Sequence, residues 1–145
     1  SGMVGGQAID LGAVGHSLDL TSLQHMHRLK TGALLEASVI MGAICNDIQE
    51  QAVTSGLRSY AEAAGLAFQI RDDIMDVEGE TNTLGKTQGK DAADNKPTYT
   101  SLLGIDKAKE KTKELYDNCQ QALTSVGLQE SILSSFASFI VTRNK

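Results

Sequence analysis

The chain has 145 residues, of which 13 are Lys or Arg and 18 are Asp or Glu, so its formal net charge is −5. This length allows one domain with a hydrophobic core, and a hydrophobic fraction of 41% is too high for a disordered chain. The acidic balance and 4% aromatic content argue against nucleic-acid binding, and no apolar run approaches the roughly 18 residues that would insert into a membrane.

The first half of the sequence predicts three helical segments in chain order. Residues 3–15 are rich in glycine, which costs about 1 kcal/mol in a helix interior and therefore indicates close helix packing or approach to a ligand. Thr21–Cys45 has helical periodicity, with Thr21 as a plausible N-cap, and Lys30–Gly32 interrupts its middle. A Thr-Gly pair is poor helix chemistry, and such local violations tend to mark function. Residues 49–77 form the next helix, with Gly56 as a potential break.

An acidic stripe lies near the end of the third helix. Asp72 and Asp76 are four residues apart and share a helix face, Asp73 lies beside them, and Gln69 is one turn earlier. Because apolar residues flank this stripe, the helix is expected to be packed on several sides, where three carboxylates are costly without a cation. Mg²⁺ fits that need, since it binds oxygen ligands and is usually held by one or two carboxylates together with substrate phosphates. A solvated acidic turn is the alternative.

A polar segment without helical periodicity follows the acids. Residues 78–98 carry Lys86, Lys90 and Lys96, and a loop of this length in a compact domain is usually functional. Amphipathic helices are then predicted over residues 105–126, with Cys119 on the apolar stripe, and over residues 128–140, with Ile132, Phe139 and Ile140 on the apolar face. A frayed terminus is expected to follow.

The histidines and cysteines do not indicate a metal centre. His25 and His27 diverge on a helix, so we interpret both as surface residues. Cys45 and Cys119 have neither metal-site spacing nor a CxxC motif, which predicts reduced thiols in a cytoplasmic protein.

The string FQIRDDIMD, preceded by Lys30-Thr31-Gly32 and followed by Gly85-Lys86, resembles the trans-isoprenyl diphosphate synthases. Within that family it is most similar to the bacterial farnesyl diphosphate synthases (geranyltranstransferases). The resemblance implies an all-α helical bundle of the isoprenoid synthase type around a central cavity. Residues 1–145 match only the C-terminal part of that single domain, and the family's first aspartate-rich motif has no counterpart here.

The resemblance also implies a set of site residues. Mg²⁺, with Mn²⁺ as an alternative, would be bound by Asp72, Asp73 and Asp76. The catalytic residues would be Lys30, Lys86 and Asp72. The substrate diphosphate would be bound by Lys30, Thr31, Gln69, Lys86 and Lys96. Gln7 and Asp10 are second-tier candidates, for which a helix end with a polar face is an equal alternative.

The implied reaction is the condensation of isopentenyl diphosphate with an allylic diphosphate, dimethylallyl or geranyl, with Ile70 and Ala67 among the inert cavity walls. A geranylgeranyl or longer-chain synthase remains an alternative, because product length depends on the missing motif. A terpene cyclase fits less well, since its second metal motif differs. The non-enzymatic alternative is a fragment or paralogue that acts only in dimerisation. Half a bundle would expose an apolar face, so we expect a homodimer or a retained N-terminal piece, and no elongation by residues 1–145 alone.

Overall fold

The structure is a computed structural model that describes residues 2–13, 18–82 and 97–143. These residues form helices and contain no strand, as the all-α prediction requires. In chain order the elements are α1 (Gly2–Gly12), α2 (Leu20–His27), a π-helical turn (Arg28–Gly32), α3 (Ala33–Cys45), α4 (Gln51–Asn82), α5 (Tyr99–Leu103), α6 (Ile105–Thr124) and α7 (Ile132–Thr142). Within this described part, no helix combines the length and apolar character needed to cross a bilayer.

Helix α4 is the central element of the bundle. Its 32 residues extend over about 48 Å, and α3, α6 and α7 pack around it. The apolar arc predicted from the sequence is buried, and Ile70 and Ile74 are 0% and 1% exposed. Tyr60, on the same helix, donates a hydrogen bond to the carbonyl of Leu133 at 2.8 Å, which ties α4 to α7. The stripe of acids is thus carried by the most extensively packed helix.

Helix α4 is longer and more continuous than the sequence predicted. The expected loop at residues 78–98 begins later, because the helix continues to Asn82, and residues 83–96 lie outside the described ranges. In this added turn, Glu78 forms ion pairs with Lys109 at 2.8 Å and Arg71 at 3.6 Å. Gly56 does not break the helix, because α6 and the turn after it pack on it so closely that a Cβ would lie 2.5 Å from Val126.

Two helix starts differ from the prediction. Asp19, not Thr21, is the N-cap of α2, and its Oδ1 accepts a hydrogen bond from the backbone N–H of Ser22 at 2.7 Å. Helix α5 was not predicted at all. It is short, but a capping box between Thr98 and Ser101 defines its first turn.

The π-helical turn lies where Lys30–Gly32 interrupts the helical pattern. Its defining bond runs from the N–H of Ala33 to the carbonyl of Arg28. Two glycines let neighbouring helices approach its backbone. A Cβ on Gly6 of α1 would lie 2.3 Å from the Lys30 backbone nitrogen, and a Cβ on Gly65 of α4 would lie 3.1 Å from Gly32 Cα. Close helix packing is therefore the reason for at least one glycine of the N-terminal segment.

The last two helices agree only in part with their predicted faces. Cys119 is buried on the predicted stripe of α6, and both cysteines are free thiols, as expected. On α7 the prediction was less accurate. Ala137 and Ile140 are buried, whereas Ile132 and Phe139 remain 80% and 57% exposed.

Candidate functional site

The acidic stripe opens onto a cavity of about 290 Å³ between α1, the π-helical turn, α4 and the start of α5. Five side chains singled out from the sequence meet there, although they come from three separate elements. They are Asp10, Lys30, Asp72, Asp73 and Asp76. Gln69 also lines the cavity, at the position one turn before Asp72 and Asp73 that the helical spacing predicts.

The three acids differ in exposure. Asp73 is only 9% exposed, and its Oδ2 accepts a 2.7 Å hydrogen bond from the backbone N–H of Tyr99, the first residue of α5. The Asp72 side chain is 40% exposed. Asp76 is exposed at the rim of the cavity. The buried carboxylate therefore fixes the start of α5, while the other two are more accessible to solvent.

Lys30 projects from the π-helical turn and forms an ion pair with Asp10 of α1 at 2.7 Å. The side chains are 34% and 12% exposed, so this pair is more shielded than a typical surface salt bridge. Gln7, the other second-tier candidate, is exposed and does not line the cavity. It lies about 100° round the helix from Gly6, the residue that faces the π-helical turn.

Other predicted positions are not at the cavity. Thr31 is half-buried and does not line it. Ile70 and Ala67, expected as cavity walls, are 0% and 1% exposed in the core, because the apolar arc of α4 faces α6 and not the cavity. The apolar lining consists instead of Ala13, Leu18, Met26, Met75 and Pro97. Lys86 and Lys96 lie outside the described residues, so their predicted roles remain predictions, and Lys90, to which no role was assigned, lies outside them too.

Arg143 lies at the site, although it was not among the candidate site residues drawn from the sequence. A frayed terminus was expected, but the Arg143 side chain is 11% exposed and its guanidinium pairs with the Asp72 carboxylate. The same group donates to the Phe68 carbonyl at 3.2 Å and lies 4.0 Å from the centroid of the Phe68 ring. Arg71 in turn donates two hydrogen bonds to the Arg143 carbonyl, at 3.0 and 2.8 Å. Up to residue 143, the end of the chain is thus held against the acidic stripe.

His27 is the second missed residue. It was interpreted as a surface histidine, but it is 8% exposed and lines the cavity. The interpretation was wrong because the π-helical turn and α5 cover the helix face on which His27 lies. Its ring stacks on Tyr99 with centroids 5.9 Å apart. Burial, followed by the charge of Lys30, lowers the pKa of His27 to about 4.

The described residues contain no group of three or more His, Cys, Asp or Glu side chains that converge closely enough to hold a metal ion by themselves. The donors at the cavity are carboxylate oxygens, which suit a hard cation. Mg²⁺ rarely needs a cage made wholly of protein, since it keeps waters and binds through one or two carboxylates and a phosphate. The exposed Asp72 and Asp76 therefore fit Mg²⁺ as a partner of a phosphorylated ligand.

Comparison with known proteins places this chain in a family. The family model for polyprenyl synthetase matches residues 1–136. The chain is 45% identical to the farnesyl diphosphate synthase of Escherichia coli strain K12, over all of this chain and 50% of that protein. A crystal structure of a putative farnesyl-diphosphate synthase from Marinomonas sp. MED121 has a TM-score of 0.81 and 36% identity, over 97% of this chain and 46% of the other.

A geranyltransferase from Helicobacter pylori, crystallised with magnesium and isoprenyl diphosphate, has a TM-score of 0.75 and 31% identity over 97% of this chain and 46% of the other. The chain thus spans about half the length of the relatives it matches. The match of the family model over residues 1–136 and the shared helical fold lead to one conclusion: this chain belongs to the polyprenyl synthetase family.

Proposed function

We propose that the chain carries the diphosphate-binding part of a magnesium-dependent prenyltransferase of the farnesyl diphosphate synthase type. Its substrates would be isopentenyl diphosphate and an allylic diphosphate, dimethylallyl or geranyl. The observation that supports this most directly is that one cavity holds the Lys30 ammonium group and the carboxylates of Asp72, Asp73 and Asp76. A cation and several carboxylates beside one small cavity suit a ligand that is itself anionic and brings a metal ion with it.

In the proposed reaction, the allylic C–O bond breaks and the diphosphate leaves with the bonding electrons. The double bond of isopentenyl diphosphate then attacks the allylic cation, a C–C bond forms, and a proton is lost to the released diphosphate. Lys30 would donate hydrogen bonds to a diphosphate oxygen as negative charge grows on it, with Asp10 holding the ammonium group at the cavity. Gln69 would orient the leaving group through its amide.

The walls of the cavity would protect the cation. Leu18 brings no nucleophilic atom, and Leu18, Met26 and Met75 reduce the access of water. Mg²⁺, when bound by Asp72 and Asp76 with Asp73 beside them, would supply Lewis-acid stabilisation of the departing diphosphate. Lys86 and Lys96 are proposed to cover the remaining phosphate oxygens.

Calorimetric titration with inorganic pyrophosphate in the presence of Mg²⁺ tests the proposed binding site. We expect binding that requires Mg²⁺ and weakens about tenfold or more in Lys30→Ala and Asp72→Ala, since each removes a charged partner of the ligand. Lys107→Ala, which removes an exposed lysine of α6, is the matched control and should bind as the unmodified chain does. Equal affinity in all variants would contradict the proposed site.

The chain contains one aspartate-rich motif, whereas the resembled family uses two. We therefore propose that residues 1–145 alone bind diphosphate but do not elongate an allylic substrate. The test is incubation of the purified chain with geranyl and isopentenyl diphosphates and Mg²⁺, followed by chromatography of the dephosphorylated products. Detection of farnesol would refute this part of the proposal.

The proposal also includes the homodimer expected from the sequence and a cytoplasmic location. The homodimer is supported by the large apolar side chains that remain exposed on two packed helices. On α1 these are Met3, Val4 and Leu11, and on α3 they are Leu34, Met41 and Ile44. Such a face is costly in water and normally marks an interface. Sedimentation equilibrium of the purified chain tests the dimer, and a monomer at micromolar concentration would contradict it.

A further inference from the structure

His27 is a buried polar residue to which the proposed mechanism gives no task. It lines the cavity and is 8% exposed, yet neither ring nitrogen has a hydrogen-bond partner among the described residues. Gln69 is near enough to raise the pKa of His27 slightly, but the two side chains do not meet hydrogen-bond geometry. Buried polar groups are nearly always paired in folded proteins. An unpaired imidazole on a cavity wall therefore indicates a partner that the described residues do not supply.

The surroundings of His27 hold the ring in one plane. On α5, Tyr99 stacks against it at 5.9 Å with an angle of 25° between the rings, and the backbone N–H of Tyr99 is held by Asp73 of α4. Lys30 follows three residues later on the π-helical turn, and Asp10 approaches from α1. A ring fixed in this way loses little further freedom when it binds a ligand, which favours binding.

The charge state of the ring limits which ligand atoms it can meet. With a pKa of about 4, the imidazole is neutral near pH 7 and offers one N–H donor and one acceptor nitrogen. A fully ionised diphosphate has acceptors only, so the N–H is the group that can bind it. The neighbouring Lys30 ammonium would hold the same ligand one helical turn away.

We propose that His27 is a ligand-binding residue of this site, and that its ring N–H donates a hydrogen bond to an oxygen of the bound diphosphate. This inference rests on the proposed function, because it assumes that the cavity binds a diphosphate. It adds a neutral donor to a site whose other recognised groups are charged or amide side chains.

The probe is inorganic pyrophosphate with Mg²⁺, added to the whole chain labelled with ¹⁵N-histidine. We expect the His27 ring nitrogen signals to shift on binding, while those of the exposed His25 stay in place. His27→Phe keeps an aromatic ring for the stack on Tyr99 but removes both nitrogens. It should weaken pyrophosphate binding about tenfold, as the loss of one hydrogen bond to a charged group does. His25→Phe is the control.

A merely structural role of His27 would give a different pattern. In that case His27→Phe would reduce two affinities by the same factor, that for pyrophosphate and that for Mn²⁺ measured without pyrophosphate. This result would overturn the inference. Pyrophosphate that binds to the unmodified chain without moving the His27 signals would also overturn it, and would leave the proposed function intact. Absence of any pyrophosphate binding by the unmodified chain would overturn both. The spectrum of the unmodified chain decides the matter even if His27→Phe does not fold.

Discussion

The pair between Arg143 and Asp72 predicts competition between the end of the chain and a metal ion. Asp72 belongs to the acidic stripe, and its Oδ1 already accepts a bond from the Arg143 guanidinium. A cation that binds Asp72 must displace this group or share the carboxylate with it. Arg143→Ala should therefore increase the affinity of the chain for divalent cations, although it removes a contact from the folded protein.

The structure sets the size of this effect. A hydrogen bond to a charged group contributes about 1.5–3 kcal/mol when it is well shielded. The Asp72 side chain is 40% exposed, so water screens the pair and about 1 kcal/mol is a reasonable value. Since about 1.4 kcal/mol corresponds to a factor of ten, Arg143→Ala should bind the metal about fivefold more tightly.

Mn²⁺ is a suitable probe, because the electron paramagnetic resonance signal of the free ion reports its concentration directly. Arg58→Ala is the matched control: it removes the same charge, and its partner Glu36 is on α3, away from the cavity. Linkage also requires the reverse effect, in which bound metal loosens Arg143. Carboxypeptidase should then remove the C-terminal residues faster when Mn²⁺ is present. Unchanged or weaker Mn²⁺ binding in Arg143→Ala would refute the competition.

Two further predictions concern stability. Gly6→Ala places a Cβ 2.3 Å from the Lys30 backbone nitrogen, so the free energy of unfolding from chemical denaturation should fall by about 1–3 kcal/mol, and pyrophosphate binding should weaken. In the control Gly5→Ala the Cβ meets no atom within 4 Å, so this variant should be at least as stable as the unmodified chain. Equal behaviour of the two variants would contradict the packing argument. The pKa of His27 is lowered from 6.5 to about 4, so on acidification the unfolded state is protonated at a higher pH than the folded state. The free energy of unfolding should therefore decrease as the pH falls from 6.5 towards 4, by about 3 kcal/mol at most. In urea unfolding, the decrease in the free energy of unfolding between pH 7 and pH 4.5 should be smaller in His27→Phe but unchanged in His25→Phe. An identical decrease in both variants would count against a buried neutral imidazole.

Much of the site could be read from local spacing alone. Gln69, Asp72 and Asp76 share one face of any α-helix they form, because 3.6 residues complete a turn. The flanking apolar arc required that helix to be packed, and α4 is the most central helix of the bundle. The Thr31-Gly32 pair marked its segment as unusual for a helix interior, whereas the family resemblance made Lys30 a site candidate. The acidic stripe itself needed only neighbours within one or two turns.

The partners of these side chains were decided by the tertiary structure. Lys30 meets Asp10, which is 20 residues away, and Asp72 meets Arg143, which is 71 residues away. Nothing in the local sequence selects either pair, since the choice depends on which helix faces pack together. The same reason explains the error at His27, which is at a position that an isolated helix would expose but that α5 covers through Tyr99. Periodicity over a few residues determined the acidic stripe and the all-α class, whereas contacts between helices distant in sequence determined its counter-ions and the shape of its cavity.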